Sequence, residues 1–530
     1  MSATSVNRPA PPRAVVAAAA LVGGVATSLA FAPTRILLVA IVGPAIGLWA
    51  FSRAATMRQA AGAGLLYGLA FTFLAFRWML ELDQIAYVVL CLLQSIFWVP
   101  TGALTRWMVR FGPTWWVAGT TATWTLAELV RARFPVSGFE WGQLGLTVAD
   151  TPIRRAAAIV GALGVTGLMV AVAAGLTVMV VHRTGRSAIP LLVAVVALAG
   201  VAALGSVSWT APGETLQVAL VQTDRPCAGE FAQDCPGYSD VLLDMYVEGT
   251  EALETTPDLI VWGEDALRGG ESLDTVGRQF VERFGPLPAP LLAGTATPGA
   301  PGRFYRWAAL FDTDGTALGG YAKRRPVPFG EYVPLRSVLG GISDVGRLVP
   351  SDMVPGRDTS PVVLPIDDRA VELGTVVSWE VAFSRLVRDV AREADGLMTL
   401  TTVSSYGRSA ASDQLLATAQ LRAAEHQKPM AVAATTGQSA MILPTGELLA
   451  KTALLQRDDV TADMPMRSGS TPFSRTGDMP VGVITAAAVL AIVVRLRRDP
   501  APAGQADDAA AEPHSEPAVT DREADTSASR

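Results

Sequence analysis

Apolar residues crowd the first two hundred positions in runs at roughly 14–32, 36–52, 60–80, 84–104, 114–131, 155–181 and 188–209. Most approach the ~20 residues that a helix needs to cross a bilayer. The first run is read as a span, since others follow it without a processing site. An eighth run, about 480–494 (PVGVITAAAVLAIVV), stops at Arg495, Arg497 and Arg498. Between these regions the period changes. Short β-rich runs predict strands at Leu216–Gln222, Asp258–Gly263, Leu291–Thr295 and Met430–Ala434, and near 371–377 and 396–402. Phe304–Phe311 and Ala317–Ala322 flank Asp314-Gly315, a hairpin signal, and Pro444-Thr445-Gly446 marks a last hairpin. Helices are expected within about 238–254 and over about 411–427, where Gln414, Thr418, Leu421 and Glu425 mark successive turns. The chain thus divides into a membrane domain of seven transmembrane helices (1–209), an α/β or α+β domain (210–479), a returning helix (480–498) and a tail (499–530).

Composition agrees with a membrane protein. Of 530 residues, 50% are hydrophobic and 17% charged, and mean hydropathy is +0.35, too apolar for an ordinary soluble chain. The net charge of −6 sits wholly in the tail, whose eight acidic and two basic residues predict a disordered segment. Everything before it is neutral, with no basic stripe, so a nucleic-acid partner is excluded. Arg8/Arg13, Arg53/Arg58, Arg106/Arg110, Arg183/Arg186 and Arg495/Arg497/Arg498 share one side if both termini are cytoplasmic. The 131–155 loop dissents with Arg131, Arg133, Arg154 and Arg155. On this topology 210–479 lies outside the cytoplasm, where Cys227 and Cys235 could form a disulfide. The three histidines are scattered and make no metal constellation with the cysteines; no cofactor is implied. Glu140-Trp141 could touch a lipid headgroup; the simpler reading is an interfacial pair.

Three chemically capable residues share one address, the position just past a predicted strand. Glu264 follows DLIVWG, Lys323 follows the hairpin, and Ser378 follows the β-branched run Thr375–Val377. Beyond Ser378-Trp379-Glu380 an amphipathic helix is predicted, with Val381, Leu386, Val387 and Val390 on one stripe. Each alone reads as a solvated loop residue or an N-cap. Together they offer a base, a cation and a nucleophile at one sheet edge.

The blocks DLIVWGED, YAKRRPVPFGEYVPLR and VVSWEVAFSRLVRD, with VALVQT ahead of them, resemble the apolipoprotein N-acyltransferase family of the nitrilase superfamily. The resemblance spans nearly the whole chain and implies a multi-span helical membrane domain carrying a nitrilase-like α-β-β-α sandwich. It implies a multi-pass protein of the bacterial cytoplasmic membrane that moves a phospholipid acyl chain to the amine of a lipoprotein's diacylglyceryl cysteine. By motif, Glu264 is the base, Lys323 the oxyanion-stabilising cation and Glu331 a supporting carboxylate, while Trp379 and Glu380 stand where the family has Tyr and Glu.

Ser378 stands where the family has its nucleophilic Cys. A thiol ionises near neutrality once its pKa falls from ~8.5, whereas a serine hydroxyl needs a well-aligned base. The family's Trp-Pro-Glu-Thr is Trp262-Gly263-Glu264-Asp265 here, and its Asn-Asp-Ala-Trp is Thr402-Val403-Ser404-Ser405. Weak or absent transfer is therefore expected. Two alternatives stand beside the transferase: a non-catalytic homologue that binds phospholipid or lipoprotein next to an active paralogue, and a nitrilase-like amidase.

Overall fold

The computed structural model describes residues 10–183, 185–224, 237–339, 349–366 and 368–498. Cys227, Cys235 and the acidic tail lie outside them. Helices occupy all eight apolar runs: α1 (Arg13–Ser28), α2 (Val39–Arg53), α3 (Met57–Ala75), α4 (Gln84–Ile96) with α5 (Trp98–Met108), α6 (Pro113–Arg131), α7 (Ala157–His182), α8 (Ile189–Gly205) and, near the C-terminus, Met479–Arg498. The fourth run is two helices meeting at Phe97 rather than one. Three stretches, Gln84–Phe111, Pro152–His182 and Arg186–Gly205, are long and apolar enough to cross a membrane. Small residues let these helices approach closely. A Cβ on Gly64 would stand 2.1 Å from the Trp98 carbonyl oxygen, and one on Gly102 would stand 2.3 Å from that of Ala60, so α3 and α5 touch backbone to backbone.

Two sheets follow. The first runs β13-β1-β2-β3-β4-β5 with β6 on the side of β4. Its strands are β1 (Thr210–Gln222), β2 (Leu259–Trp262), β3 (Leu291–Pro298), β4 (Arg303–Phe311), β5 (Ala317–Ala322), β6 (Asp352–Met353) and β13 (Asp458–Gly469). The second runs β12-β11-β10-β9-β8-β7. It comprises β7 (Val362–Ile366), β8 (Arg369–Val377), β9 (Gly396–Thr401), β10 (Met430–Ala434), β11 (Ala440–Ile442) and β12 (Leu448–Lys451). The centre of each sheet is parallel, β1-β2-β3 and β8-β9-β10, so strand C-termini gather at one edge.

Alternation along the strands builds the layers. Val218, Leu220 and Val261 belong to the core shared with Val376 and Leu400 of the second sheet. Val221, Ile260 and Trp262 point the other way, toward Tyr246 of α9 (Tyr238–Glu251) and Phe280 of α10 (Leu273–Phe284). The far side of the second sheet carries α11 (Ser384–Ala391) and α12 (Ala411–His426). The result is an α-β-β-α sandwich.

Strands β6 and β7 were not expected, and three further departures have a physical reason. The helix after Ser378 begins at Ser384, because 378–382 form a 3-10 turn and Phe383 is extended (φ −94°, ψ 101°). Strand β13 was not signalled, since DDVTADMPMRSG is largely polar, and its eleven-pair register with β1 supplies the order. Helix α10 was hidden because only Val276, Gly277 and Phe280 of its twelve residues are buried.

Helix α12 is buried on both sides, by its own sheet and by the membrane domain. Gln414 uses all four of its polar valences there. Its Oε1 accepts from Trp78 Nε1 (3.2 Å) and Trp141 Nε1 (2.7 Å), and its Nε2 donates to Ala32 O and Ala75 O, both at 3.1 Å. Three turns on, Glu425 Oε1 accepts from Ala162 N (2.8 Å), a donor released where Gly161 (φ 66°) interrupts α7. The turn-marking residues of this helix are thus its interdomain face.

Candidate active site

The turn after β8 is made by Glu380. Its Oε2 accepts from Val377 N (2.8 Å) and Tyr321 Oη (3.1 Å), and its Oε1 from Arg324 N and Arg325 N, both 2.7 Å. One carboxylate thereby staples the exit of β8 to the exit of β5, setting Ser378 beside the Lys323 loop. Burial raises the Glu380 pKa to about 6, against the pull of those backbone donors and of Lys323, so it is mostly anionic at neutral pH. Ser378 is held at φ +59°, a left-handed conformation that L-residues other than Asn and Asp rarely take. It is half-buried, and among the described residues its hydroxyl has no hydrogen-bond partner.

Lys323 is 1% exposed, and its Nζ lies 3.0 Å from Glu264 Oε1 and 2.8 Å from Glu331 Oε1. Glu331 also accepts from Val327 N at 2.7 Å, and Arg306 Nε lies at ion-pair distance, 3.1 Å from Oε1, without a hydrogen bond. Arg306 also pairs with Asp265 and lies 3.8 Å from Glu264 Oε1. Glu264 is placed by backbone: its carbonyl accepts from Thr435 Oγ1 (2.7 Å), and a Cβ on Gly294 would stand 2.7 Å from its Cα. Only glycine at 294 lets β3 run that close.

Three carboxylates face two cations here. Burial lowers the Lys323 pKa, but Glu264 and Glu331 more than offset it, so the ammonium persists. Local desolvation works against the Asp265 carboxylate too, although its side chain is 47% exposed, and Arg306 overcomes it, holding that carboxyl below its ordinary range. For Glu264 the balance reverses: burial outweighs Lys323 and Arg306, and the pKa is raised. The surplus negative charge is most easily relieved by a proton on Glu264. Every contact to its carboxylate ends on Oε1 among the described residues, leaving Oε2 outside them.

The structure therefore joins Glu264, Lys323 and Glu331 directly. Glu380 brings the Ser378 turn alongside, and Trp379 adds a hydrogen bond from Nε1 to Arg325 O (2.7 Å). No hydrogen bond links Ser378 to Glu264 or Lys323 among the described residues. Arg306, Asp265 and Tyr406 were not expected in the cluster. An arginine inside the strand RFYRWAALF was the available signal for Arg306. Tyr406, edge-on to Trp78 of the membrane domain (5.4 Å), has its phenol raised to about 12 by burial and then by Glu264. Among the described residues no group of three or more His, Cys, Asp and Glu is placed to hold a metal ion.

Residues 23–175 match the apolipoprotein N-acyltransferase N-terminal domain, and residues 282–471 match the carbon-nitrogen hydrolase domain. The chain is 30% identical to the apolipoprotein N-acyltransferase of Methylococcus capsulatus, over 91% of this chain and 96% of that one. Against the Pseudomonas putida apolipoprotein N-acyltransferase identity is 26%, over 88% and 94%. Among solved structures, a Nesterenkonia amidase of the nitrilase superfamily aligns at 20% identity and TM-score 0.35, covering 52% of this chain and 99% of that one.

Proposed function

We propose, since this chain belongs to the apolipoprotein N-acyltransferase family, that it moves an acyl chain from a phospholipid to the amine of a lipoprotein's diacylglyceryl cysteine. The carrying observation is Lys323 held between Glu264 and Glu331 at 3.0 and 2.8 Å, one staple away from Ser378. In the first half-reaction Glu264 takes the Ser378 proton while Oγ attacks the ester carbonyl carbon. Lys323 meets the negative charge on the carbonyl oxygen. The ester C–O bond breaks, and the lysophospholipid oxygen leaves with the proton from Glu264. In the second, the acceptor amine attacks the acyl-serine and gives a proton to Glu264. The amide forms, and Ser378 Oγ is reprotonated.

The proposed setting is the bacterial cytoplasmic membrane, with both termini cytoplasmic and 210–479 outside. Arg53, Arg106, Arg110 and Arg495 support it, because they lie at the helix ends opposite those that meet α12. Three of the four dissenting arginines face carboxylates: Arg131 with Glu128 (2.6 Å), Arg133 with Asp478 (3.7 Å) and Arg154 with Glu447 (3.6 Å).

A second reading has its own observation. With no base bonded to Ser378 among the described residues and an oxygen ester less reactive toward amines than a thioester, the same scaffold serves as a non-catalytic binder of phospholipid or lipoprotein. Purified protein in phospholipid micelles, given a diacylglyceryl lipopeptide, decides between them. Transfer by the natural protein, lost in Ser378→Ala, establishes the serine enzyme. Transfer only by Ser378→Cys makes the natural chain the binder, and hydrolysis without transfer makes it the amidase.

A further inference from the structure

A cavity of about 370 Å³ opens beside the site, within the range of small-ligand pockets. It adjoins both catalytic turns, through Arg324 and Arg325 after Lys323 and through Trp379 after Ser378. The opposite wall is Val136 and Ser137 of the membrane-domain loop, and Arg303 closes one side.

The charge of the lining is uneven. Among the described residues its single carboxylate, Asp352, is engaged twice by Arg336, at 2.9 and 2.5 Å. Arg324 is paired with Asp389 at 3.3 Å. Arg303 and Arg325 have no carboxylate within ion-pair distance among the described residues. Arg325 is positioned nonetheless: it donates to Ser137 O and Gly138 O and lies 3.6 Å from the Phe383 ring centroid, while its Nε is buried without a partner. Two guanidinium groups without a paired carboxylate among the described residues call for an anion, and guanidinium suits phosphate oxygens.

The flanking segments narrow the choice. Phe134 is 65% exposed and Val136 52% on the membrane-domain loop, and Phe329 is 48% exposed on the loop after Lys323. An anion subsite edged by bare apolar side chains, at the junction with the membrane domain, fits an amphiphile rather than a free ion.

We propose that Arg303 and Arg325 bind the phosphodiester of a phospholipid, fixing the headgroup so that its ester carbonyl falls toward Ser378. This rests on the acyltransferase reading for its purpose and stands apart from it in its test, which needs no turnover. The diacylglyceryl acceptor has no phosphate, so the same subsite would also discriminate donor from acceptor.

Full-length protein in a neutral detergent is titrated with a fluorescent phosphatidylglycerol and with the matching fluorescent diacylglycerol. Natural protein and Ser378→Ala should both prefer the phospholipid by about tenfold or more, the scale of a bidentate charge-assisted contact. Arg303→Ala, at an exposed side chain, should cut the preference severalfold, and Arg303→Ala with Arg325→Ala should erase it. Arg278→Ala, on the exposed side of α10, should change nothing. Thermal unfolding of each variant keeps misfolding from posing as lost binding. Equal binding of the two lipids, or a preference that survives the double substitution, overturns the proposal. Displacement of the lipid by millimolar glycerol phosphate or inorganic phosphate overturns its lipid half, since the site would then take a bare anion. A retained preference with no N-acylation by any variant defeats the transferase reading and leaves this one standing.

Discussion

Two buried polar clusters in this chain use the same materials to opposite ends. At the domain junction, Gln414 meets four partners, Arg422 and Glu425 close on each other, and Glu425 also accepts from Ala162 N. At the sheet edge, Lys323 and Arg306 face Glu264, Glu331 and Asp265, and one oxygen of Glu264 stays outside the network. A hub such as Gln414, with every polar valence met, specifies how two bodies sit together. An unsaturated, unbalanced cluster holds a proton loosely enough to exchange it. The difference lies in charge balance, Arg422 against Glu425 at the junction and two cations against three carboxylates at the sheet edge, not in which residue types are present.

The largest effect should come from removing the cation that both site glutamates share. Lys323→Met leaves Glu264 and Glu331 buried together, a loss of about 3–5 kcal/mol by analogy with broken buried pairs. Transfer activity should vanish with it, and chemical denaturation beside the acylation assay checks both. Gln414→Leu should follow, at roughly 2–4 kcal/mol, since two indole N–H groups and two carbonyls lose their partner. It should loosen the domains, seen as new protease cleavage near α12, while Ser378→Cys activity in that background falls far less than with Lys323→Met. Equal losses of activity in the two variants would collapse the distinction between clasp and site.

Titration separates the clusters next. Burial raises Glu425 to about 7, despite Arg422 and Ala162 N. Its folded pKa exceeds its unfolded one, so its contribution to stability is complete below about 4.5 and fades as pH rises through about 7. Natural protein should therefore lose on the order of 2 kcal/mol between pH 5 and pH 8 that Glu425→Gln does not lose. Glu264 is also raised by burial, but there the anion is the working form. Transfer should climb with pH through a pKa above the ordinary carboxylate range, and Glu264→Gln should remove transfer altogether. A pH–rate profile on Ser378→Cys and a pH series of unfolding midpoints test the two signs.

Much of this was legible in the chain, and the gaps have physical reasons. Strand ends announce themselves, because β-branched runs stop abruptly at Glu264 and Ser378 and a hairpin stops at Lys323; those three addresses meet at one edge of the sandwich. The apolar runs located the membrane-domain helices for the same reason, a long apolar stretch, though not the break at Phe97 that splits the fourth into two. Arg306 and Asp265 escaped because their importance is a matter of charge balance across β2 and β4, which no spacing encodes. The clasp escaped because Gln414 looks like any polar helix residue until Trp78 and Trp141, more than 270 positions away, are brought to it. The polar β13 became a strand through its pairing with β1, a tertiary choice over local propensity.

The smallest expected effect concerns Ser378 itself. At φ +59° a serine bears a left-handed strain of about 1–2 kcal/mol that glycine does not. Glycine also frees the unfolded chain, offsetting roughly 0.5–1 kcal/mol of that relief. Ser378→Gly should thus be neutral to about 1 kcal/mol more stable than the natural protein, whereas Ser378→Val, β-branched in the same conformation, should be less stable. Gln414 and Glu425 in the clasp do not behave this way, since replacing either removes satisfied contacts. If unfolding midpoints instead fall for glycine and hold for valine, the turn carries no strain. The case that this position is kept for chemistry or binding, at the expense of stability, then loses its support.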